Sequence, residues 1–142
     1  MIGILVITHG SFSDGLKNAA ELLAGKQEYF ESIGFYHGDS IEILNEKVLS
    51  ALKNLNRGQG ILVFVDMLGG SPSNVILKLL RSNNFKAIAG ANLPMICHAV
   101  LTRNSELCLD ELFKQCIAVG KESLVSLNKV FDNMQENIEN DF

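Results

Sequence analysis

Residues 61–73 read ILVFVDMLGGSPS, and this stretch decides the fold. An unbroken apolar run such as 61–65 is what a strand buried on both faces of a parallel sheet requires, because neither face meets water. The run ends at Asp66 and gives way to Leu68-Gly69-Gly70-Ser71-Pro72, a string of chain-breaking residues. Ser71 is a candidate N-cap, and Pro72 suits the first helical position, where its missing N–H would have no partner anyway. Val75, Ile76, Leu79 and Leu80 then continue one apolar face at helical spacing. A buried strand running straight into a helix is half of a βαβ unit. The same reading holds at the amino terminus, where residues 1–12 read MIGILVITHGSF: residues 2–7 are continuously apolar and stop at Thr8-His9-Gly10.

Strand and helix periods alternate outward from these two stretches, with no internal repeat or linker to divide the chain. Leu16, Ala19, Ala20, Leu22 and Leu23 predict a helix capped by Ser13 or Asp14 and stopped by Gly25. Residues 29–36 have strand composition, and the turn-like His37-Gly38-Asp39-Ser40 leads into a helix marked by Ile41, Leu44, Val48, Leu49 and Leu52. A fourth strand is expected over 85–89, a short helix over 94–101 and a longer one over 110–121. Residues 124–130 stay open between a helix, which suits Leu124, Leu127 and Val130, and a short edge strand, which suits LVSL. The polar tail 132–142 is expected to fray. The resulting fold class is α/β: one three-layer domain over 1–142, with a mainly parallel central sheet flanked by helices.

Composition narrows the function. The chain has 142 residues, 47% hydrophobic and 20% charged, enough for one real core and not for two. A formal charge of -4 argues against nucleic-acid binding, which depends on clustered lysine and arginine. No apolar stretch approaches the roughly 20 residues that cross a bilayer, and the start lacks the basic flank and cleavage site of a signal peptide, so a cytoplasmic protein is expected. Cys97, Cys108 and Cys116 are odd in number and form no C-x-x-C pair, which points to buried free thiols rather than a disulfide framework or a zinc site.

Right-handed crossovers put helices on both faces and gather the loops that follow parallel strands on one edge, where open α/β sheets take their ligands. The loops 8–13 and 67–73 follow the most hydrophobic strands, so they are expected to be neighbours, with His9 facing Asp66. A carboxylate that accepts the N–H of one ring nitrogen fixes the tautomer and leaves the other nitrogen's lone pair pointing outward. That nitrogen can attack phosphorus or bind a metal. Gly69, Gly70 and Ser71 favour the first, since close-approaching backbone amides at a helix start welcome an oxyanion. Phosphoryl transfer asks mainly for positioning and charge stabilisation, and no metal or cofactor is expected. His37, in a turn, and His98, beside Cys97, are expected to be surface or structurally satisfied residues. Arg103, Lys17 and Lys78 have no spacing that separates them from ordinary solvated charges, and no role is assigned to them.

The segments VITHGSFSDGL (6–16), VDMLGGSPSN (65–74) and AGANLPM (89–95) together resemble the enzyme IIA component of the mannose family of the bacterial phosphotransferase system. The resemblance runs over about residues 1–127, and the paired THG and D-x-x-GGSP motifs are far more specific together than either alone. It implies a phosphocarrier: His9 would receive a phosphoryl group on Nε2 from the phosphohistidine of HPr and pass it to a histidine of the cognate IIB component. The sugar, taken up through the membrane components IIC and IID, would receive it last. Asp66 matches the aspartate that orients the ring, and Gly70 with Ser71, next to Gly69, matches the backbone cradle. Members of that family form homodimers that exchange an edge strand near the carboxyl terminus, and 124–130 falls where that strand would be. Because no second domain follows here, IIB is expected as a separate protein. Two rival readings are a phosphohistidine carrier serving dihydroxyacetone kinase, which typically lacks the full GGSP element, and a tetrapyrrole metal chelatase. The latter would need a second histidine or a glutamate converging on His9.

Overall fold

Strand β1 (Gly3–His9) is followed by helix α1 (Phe12–Ala24), strand β2 (Phe30–Phe35), helix α2 (Ile41–Leu55), strand β3 (Ile61–Val65) and helix α3 (Ser71–Leu79). Strand β4 (Phe85–Ala89) and helices α4 (Leu93–Thr102), α5 (Leu109–Glu122) and α6 (Leu127–Asn140) complete the order. The structure is a computed structural model that describes residues 1–81 and 84–141. Among the described residues the sheet has four strands, all parallel, in the order β2-β1-β3-β4. Ile4 pairs with Phe30 and Leu62, and Ile61 with Phe85, so the two hydrophobic runs lie side by side at the centre.

Strand alternation sends successive side chains to opposite faces. Ile4, Val6, Leu62, Phe64 and Ile88 enter one core with Leu16 and Ala20 of α1, Met95, Ile96, Ala99 and Val100 of α4, and Leu112 and Cys116 of α5. Leu5, Ile7, Val63 and Val65 enter the other, against Leu44, Val48, Leu52 and Leu55 of α2 and Val75 and Ile76 of α3. The chain therefore leaves β1 toward one face and β3 toward the other. These two central strands flank the switch point of the sheet, and a crevice opens there beyond their carboxyl ends.

At the opposite end of the strands lies Arg103, which is 1% exposed. Its guanidinium donates to the carbonyls of Ile2 (3.2 Å), Tyr29 (2.9 Å) and Glu28 (2.5 Å) and to Gln27 Oε1 (3.0 Å), tying together the entries to β1 and β2. It is not the solvated charge that its sequence neighbourhood suggests. The partners lie more than seventy residues away in sequence and converge only on folding.

The carboxyl-terminal expectations change. Residues 124–126 have no regular structure and α6 begins at Leu127, so 124–130 contributes no strand. The Ser126 hydroxyl accepts the Lys129 N–H at 3.2 Å, a side-chain cap that an edge strand would not use. The tail expected to fray is helical through Asn140, because Phe131, Met134 and Ile138 keep helical spacing within a polar composition. Phe142 lies outside the described residues. No helix among the described residues is long and apolar enough to cross a membrane.

Candidate functional site

His9 is the last residue of β1, held there by the strand's fully buried run and by the turn that leads into α1. The buried Thr8 hydroxyl donates to the His9 carbonyl (3.1 Å) and accepts the Ser13 N–H (2.7 Å), joining the strand end to the first turn of α1. The Gly10 N–H donates to the Phe35 carbonyl at 2.8 Å, so the loop leaves along β2. The α1 N-cap is Ser11 rather than Ser13 or Asp14, since Ser13 is already inside the helix and buried.

Asp66, directly after β3, meets His9 across the switch point. Its Oδ2 accepts the His9 backbone N–H at 3.0 Å and lies 2.8 Å from Nδ1, while Oδ1 accepts the Met67 N–H at 3.0 Å. Burial pushes the Asp66 carboxyl up, but the hydrogen bonds from the His9 backbone and ring, the ring's charge and the Met67 N–H outweigh it, holding the group below the usual carboxylate range. An ionised Asp66 can only accept, so Nδ1 carries the proton, and in the neutral ring Nε2 keeps its lone pair. The imidazole side chain is 44% exposed against 12% for the aspartate, so the carboxylate is screened and the ring's other edge is open.

Nε2 points at the start of α3. A methyl group on Gly70 would lie 2.8 Å from Nε2 and 2.9 Å from Cε1, so only a bare backbone fits beside the ring. Gly70, with φ 85° and ψ 172°, is the N-cap of α3 and occupies a region open essentially to glycine alone. This corrects the expected capping role of Ser71, which is the first helical residue with Pro72 second. Gly69 also differs from expectation, because its amide donates to Ser73 Oγ at 2.8 Å and serves the turn instead of facing an anion. The first helical bond runs from the Asn74 N–H to the Gly70 carbonyl, leaving the Gly70 and Ser71 amides without a partner among the described residues. Free amides and the positive end of a helix thus sit against a nucleophilic nitrogen.

A cavity of about 520 Å³ opens beside His9, which lines it with Gly10, Phe35, Tyr36, His37, Gly38 and Asp39. Gly34 shapes it, since a methyl group there would strike the Gly10 carbonyl and lie 2.8 Å from the Tyr36 ring. His37 therefore shares a cavity with His9, a proximity the turn-like HGDS gives no sign of. His98 is satisfied by Gln115 Oε1 at 2.8 Å, as expected. Lys17 pairs with Glu21 at 2.8 Å and Lys78 is exposed, and neither joins the site. Sequence reasoning missed Thr8, Ser73 and Gly34. The signal for Ser73 was present, since it stands two residues beyond the expected cap within the same motif. Among the described residues no group of three His, Cys, Asp or Glu side chains converges as a metal site would need.

Fold and site define a parallel α/β domain that presents a carboxylate-oriented imidazole to a helix amino terminus at the sheet's switch point. Residues 3–117 match the family described as "PTS system fructose IIA component", and the chain belongs to this family of phosphotransferase-system IIA components. It is 34% identical over 127 residues to the mannose-specific EIIAB component of Escherichia coli K12, covering 89% of this chain and 39% of that one. The chain thus spans about two fifths of that relative's length. The fructose-specific EIIA component of Bacillus subtilis is 29% identical, with 87% of this chain and 84% of that one covered. A crystal structure of phosphotransferase system component EIIA from Streptococcus agalactiae superposes with a TM-score of 0.82 at 32% identity, covering 91% of this chain and 99% of that one.

Proposed function

We propose that the chain is a phosphocarrier of a sugar phosphotransferase system, with His9 Nε2 as the phosphoryl acceptor, Asp66 as the residue that orients and charges the ring, and the Gly70 and Ser71 amides as the oxyanion cradle. The observation that carries this reading is the 2.8 Å contact of Nδ1 with Asp66 Oδ2, which turns the Nε2 lone pair toward the α3 amino terminus. The Nε2 lone pair attacks the phosphorus of a donor phosphohistidine, a new N–P bond forms, and the donor's N–P bond breaks with its electron pair returning to the donor imidazole. The positive charge that develops on the His9 ring is matched by the Asp66 carboxylate, which keeps its hydrogen bond to Nδ1–H throughout. The equatorial phosphoryl oxygens meet the free amides, a stabilisation already in place before reaction. Transfer onward repeats the step in reverse toward the next histidine.

In this reading the donor is phospho-HPr, the acceptor a IIB component, and the site of action the cytoplasm, with membrane components IIC and IID receiving the sugar. The protein works as a homodimer. The names of relatives span mannose, fructose and sorbose, so the sugar is left open. Incubation with phosphoenolpyruvate, enzyme I and HPr, read by intact mass, is expected to add one acid-labile phosphoryl group to the wild type and none to His9→Ala. An unlabelled wild type, or a labelled His9→Ala, overturns the assignment.

A further inference from the structure

Strand β1 outlasts one of its neighbours. Its pairing with β3 ends at Ile7 and Val65, whereas its pairing with β2 continues to His9 and Phe35. The N–H and C=O of one strand residue point to the same flank, and the His9 N–H meets Asp66, so both His9 groups face the side where β3 has ended. Two side chains stand in for the missing strand. Asp66 Oδ2 accepts the N–H at 3.0 Å, and the Thr8 hydroxyl donates to the C=O at 3.1 Å. Thr8 is itself fixed, being fully buried and accepting the Ser13 N–H at 2.7 Å from the first turn of α1. On the β2 side the Gly10 N–H donates to the Phe35 carbonyl at 2.8 Å. The peptide planes on either side of the His9 Cα are thus both held, which gives the Cα–Cβ bond one direction. The ring torsions are then taken up by the 2.8 Å contact of Nδ1 with the same Asp66 oxygen. The weak point is Gly10, whose φ of 55° and open surroundings let the 9–10 peptide rotate at little steric cost.

We propose that Thr8 is a positioning residue for phosphoryl transfer: its hydroxyl, anchored on α1, holds the His9 carbonyl and so keeps Nε2 aimed at the amino terminus of α3. This rests on the phosphocarrier reading of His9. A fully buried hydroxyl cannot meet a docked donor protein, so Thr8 acts only through the backbone of its neighbour. Valine has nearly the same shape but neither donates nor accepts. In its place the His9 carbonyl and the Ser13 N–H each lose a partner, the 9–10 peptide turns, and the ring shifts with it. A shift of about 1 Å at a reacting group costs on the order of 10²-fold in rate.

Rates of His9 labelling against phospho-HPr concentration, below the melting transitions of all variants, test this. Thr8→Val is expected to lower the maximal rate about tenfold or more and to leave the half-saturating donor concentration within about twofold, because no donor contact is lost. Thr8→Ser keeps the hydroxyl and is expected within about threefold of the wild type, with Thr8→Cys, a weak S–H donor, between Ser and Val. Arg103→Ala, destabilised at the far end of the strands, is expected to label at the wild-type rate, which separates positioning from lost stability. A wild-type rate in Thr8→Val, a Thr8→Ser as slow as Thr8→Val, or a loss explained by weaker donor binding overturns the proposal. Should Thr8→Val not fold, equal rates for Thr8→Ser and Thr8→Cys overturn it. An unlabelled wild type overturns the carrier reading instead, and Thr8 is then judged on the unphosphorylated protein. Nitrogen NMR at alkaline pH, where the ring is neutral, is expected to show His9 as the single Nδ1–H tautomer in the wild type and as a mixture in Thr8→Val, or in Thr8→Cys where Thr8→Val does not fold. Identical spectra remove Thr8 from the positioning of His9.

Discussion

A single methyl group at Gly70 would touch the nitrogen on which the proposed chemistry turns. The site lies 2.8 Å from Nε2, and the backbone there, at φ 85° and ψ 172°, costs a non-glycine residue about 1–3 kcal/mol. Gly70→Ala is therefore expected to lower the melting temperature by roughly 2–10 °C and to reduce phosphoryl labelling far more than that loss explains, because the ring is displaced from the α3 amides. Labelling at the wild-type rate in a folded variant would remove Gly70 from the cradle. Asp66→Asn tests the other side of the ring. An amide can offer an N–H to Nδ1, which favours the tautomer whose proton is on Nε2 and whose lone pair is lost to attack. Transfer is expected to slow by about 10²-fold or more with the fold retained, measured as the rate of approach to full labelling under excess phospho-HPr.

At the scale of the elements, the strands and helices that build the site are legible because short-range patterns specify them. The runs 2–7 and 61–65 carry the continuous apolar pattern of buried parallel strands, and Gly69-Gly70-Ser71-Pro72 carries the signals of a helix start. The features that stayed hidden depend on distant partners. The buried position of Arg103 rests on carbonyls of Ile2, Glu28 and Tyr29, which no window around Arg103 contains. Thr8 and Gly34 owe their roles to contacts across α1 and β2 in the same way. The helix α6 was obscured for another reason, since its polar composition masks a stripe recurring at intervals of three and four. Arg103→Ala separates scaffold from site. Its removal leaves several buried carbonyls without donors, at a cost of about 3 kcal/mol or more, so thermal unfolding should occur roughly 10 °C lower. Labelling of His9, at the far ends of the strands, should persist below the transition. Loss of labelling with unchanged melting would mean that Arg103 acts on the site itself.

Across the whole molecule, the site adds a pH dependence to stability that the scaffold mirrors at the other extreme. Asp66 is held below the ordinary carboxylate range in the folded protein, so its contribution is complete above about pH 4 and disappears as pH falls through the folded value. Glu21, lowered by its hydrogen bonds to Lys17 and the Gln27 backbone, works in the same direction. Burial drives the Cys116 thiol the opposite way, up to about 12. The unfolded thiol ionises near pH 8.5, so this contribution is complete below that pH and is lost as pH rises toward 12. Melting temperatures of the wild type, Asp66→Asn and Cys116→Ala across pH 3 to 11 resolve the two limbs. The gap between wild type and Asp66→Asn should close toward the acid end, because the variant has no carboxylate to protonate. The gap between wild type and Cys116→Ala should narrow above about pH 9, because only the wild type gains an ionising thiol on unfolding. Parallel curves at the alkaline end would show that Cys116 titrates alike in both states, contrary to a side chain sealed beneath α5 against the sheet.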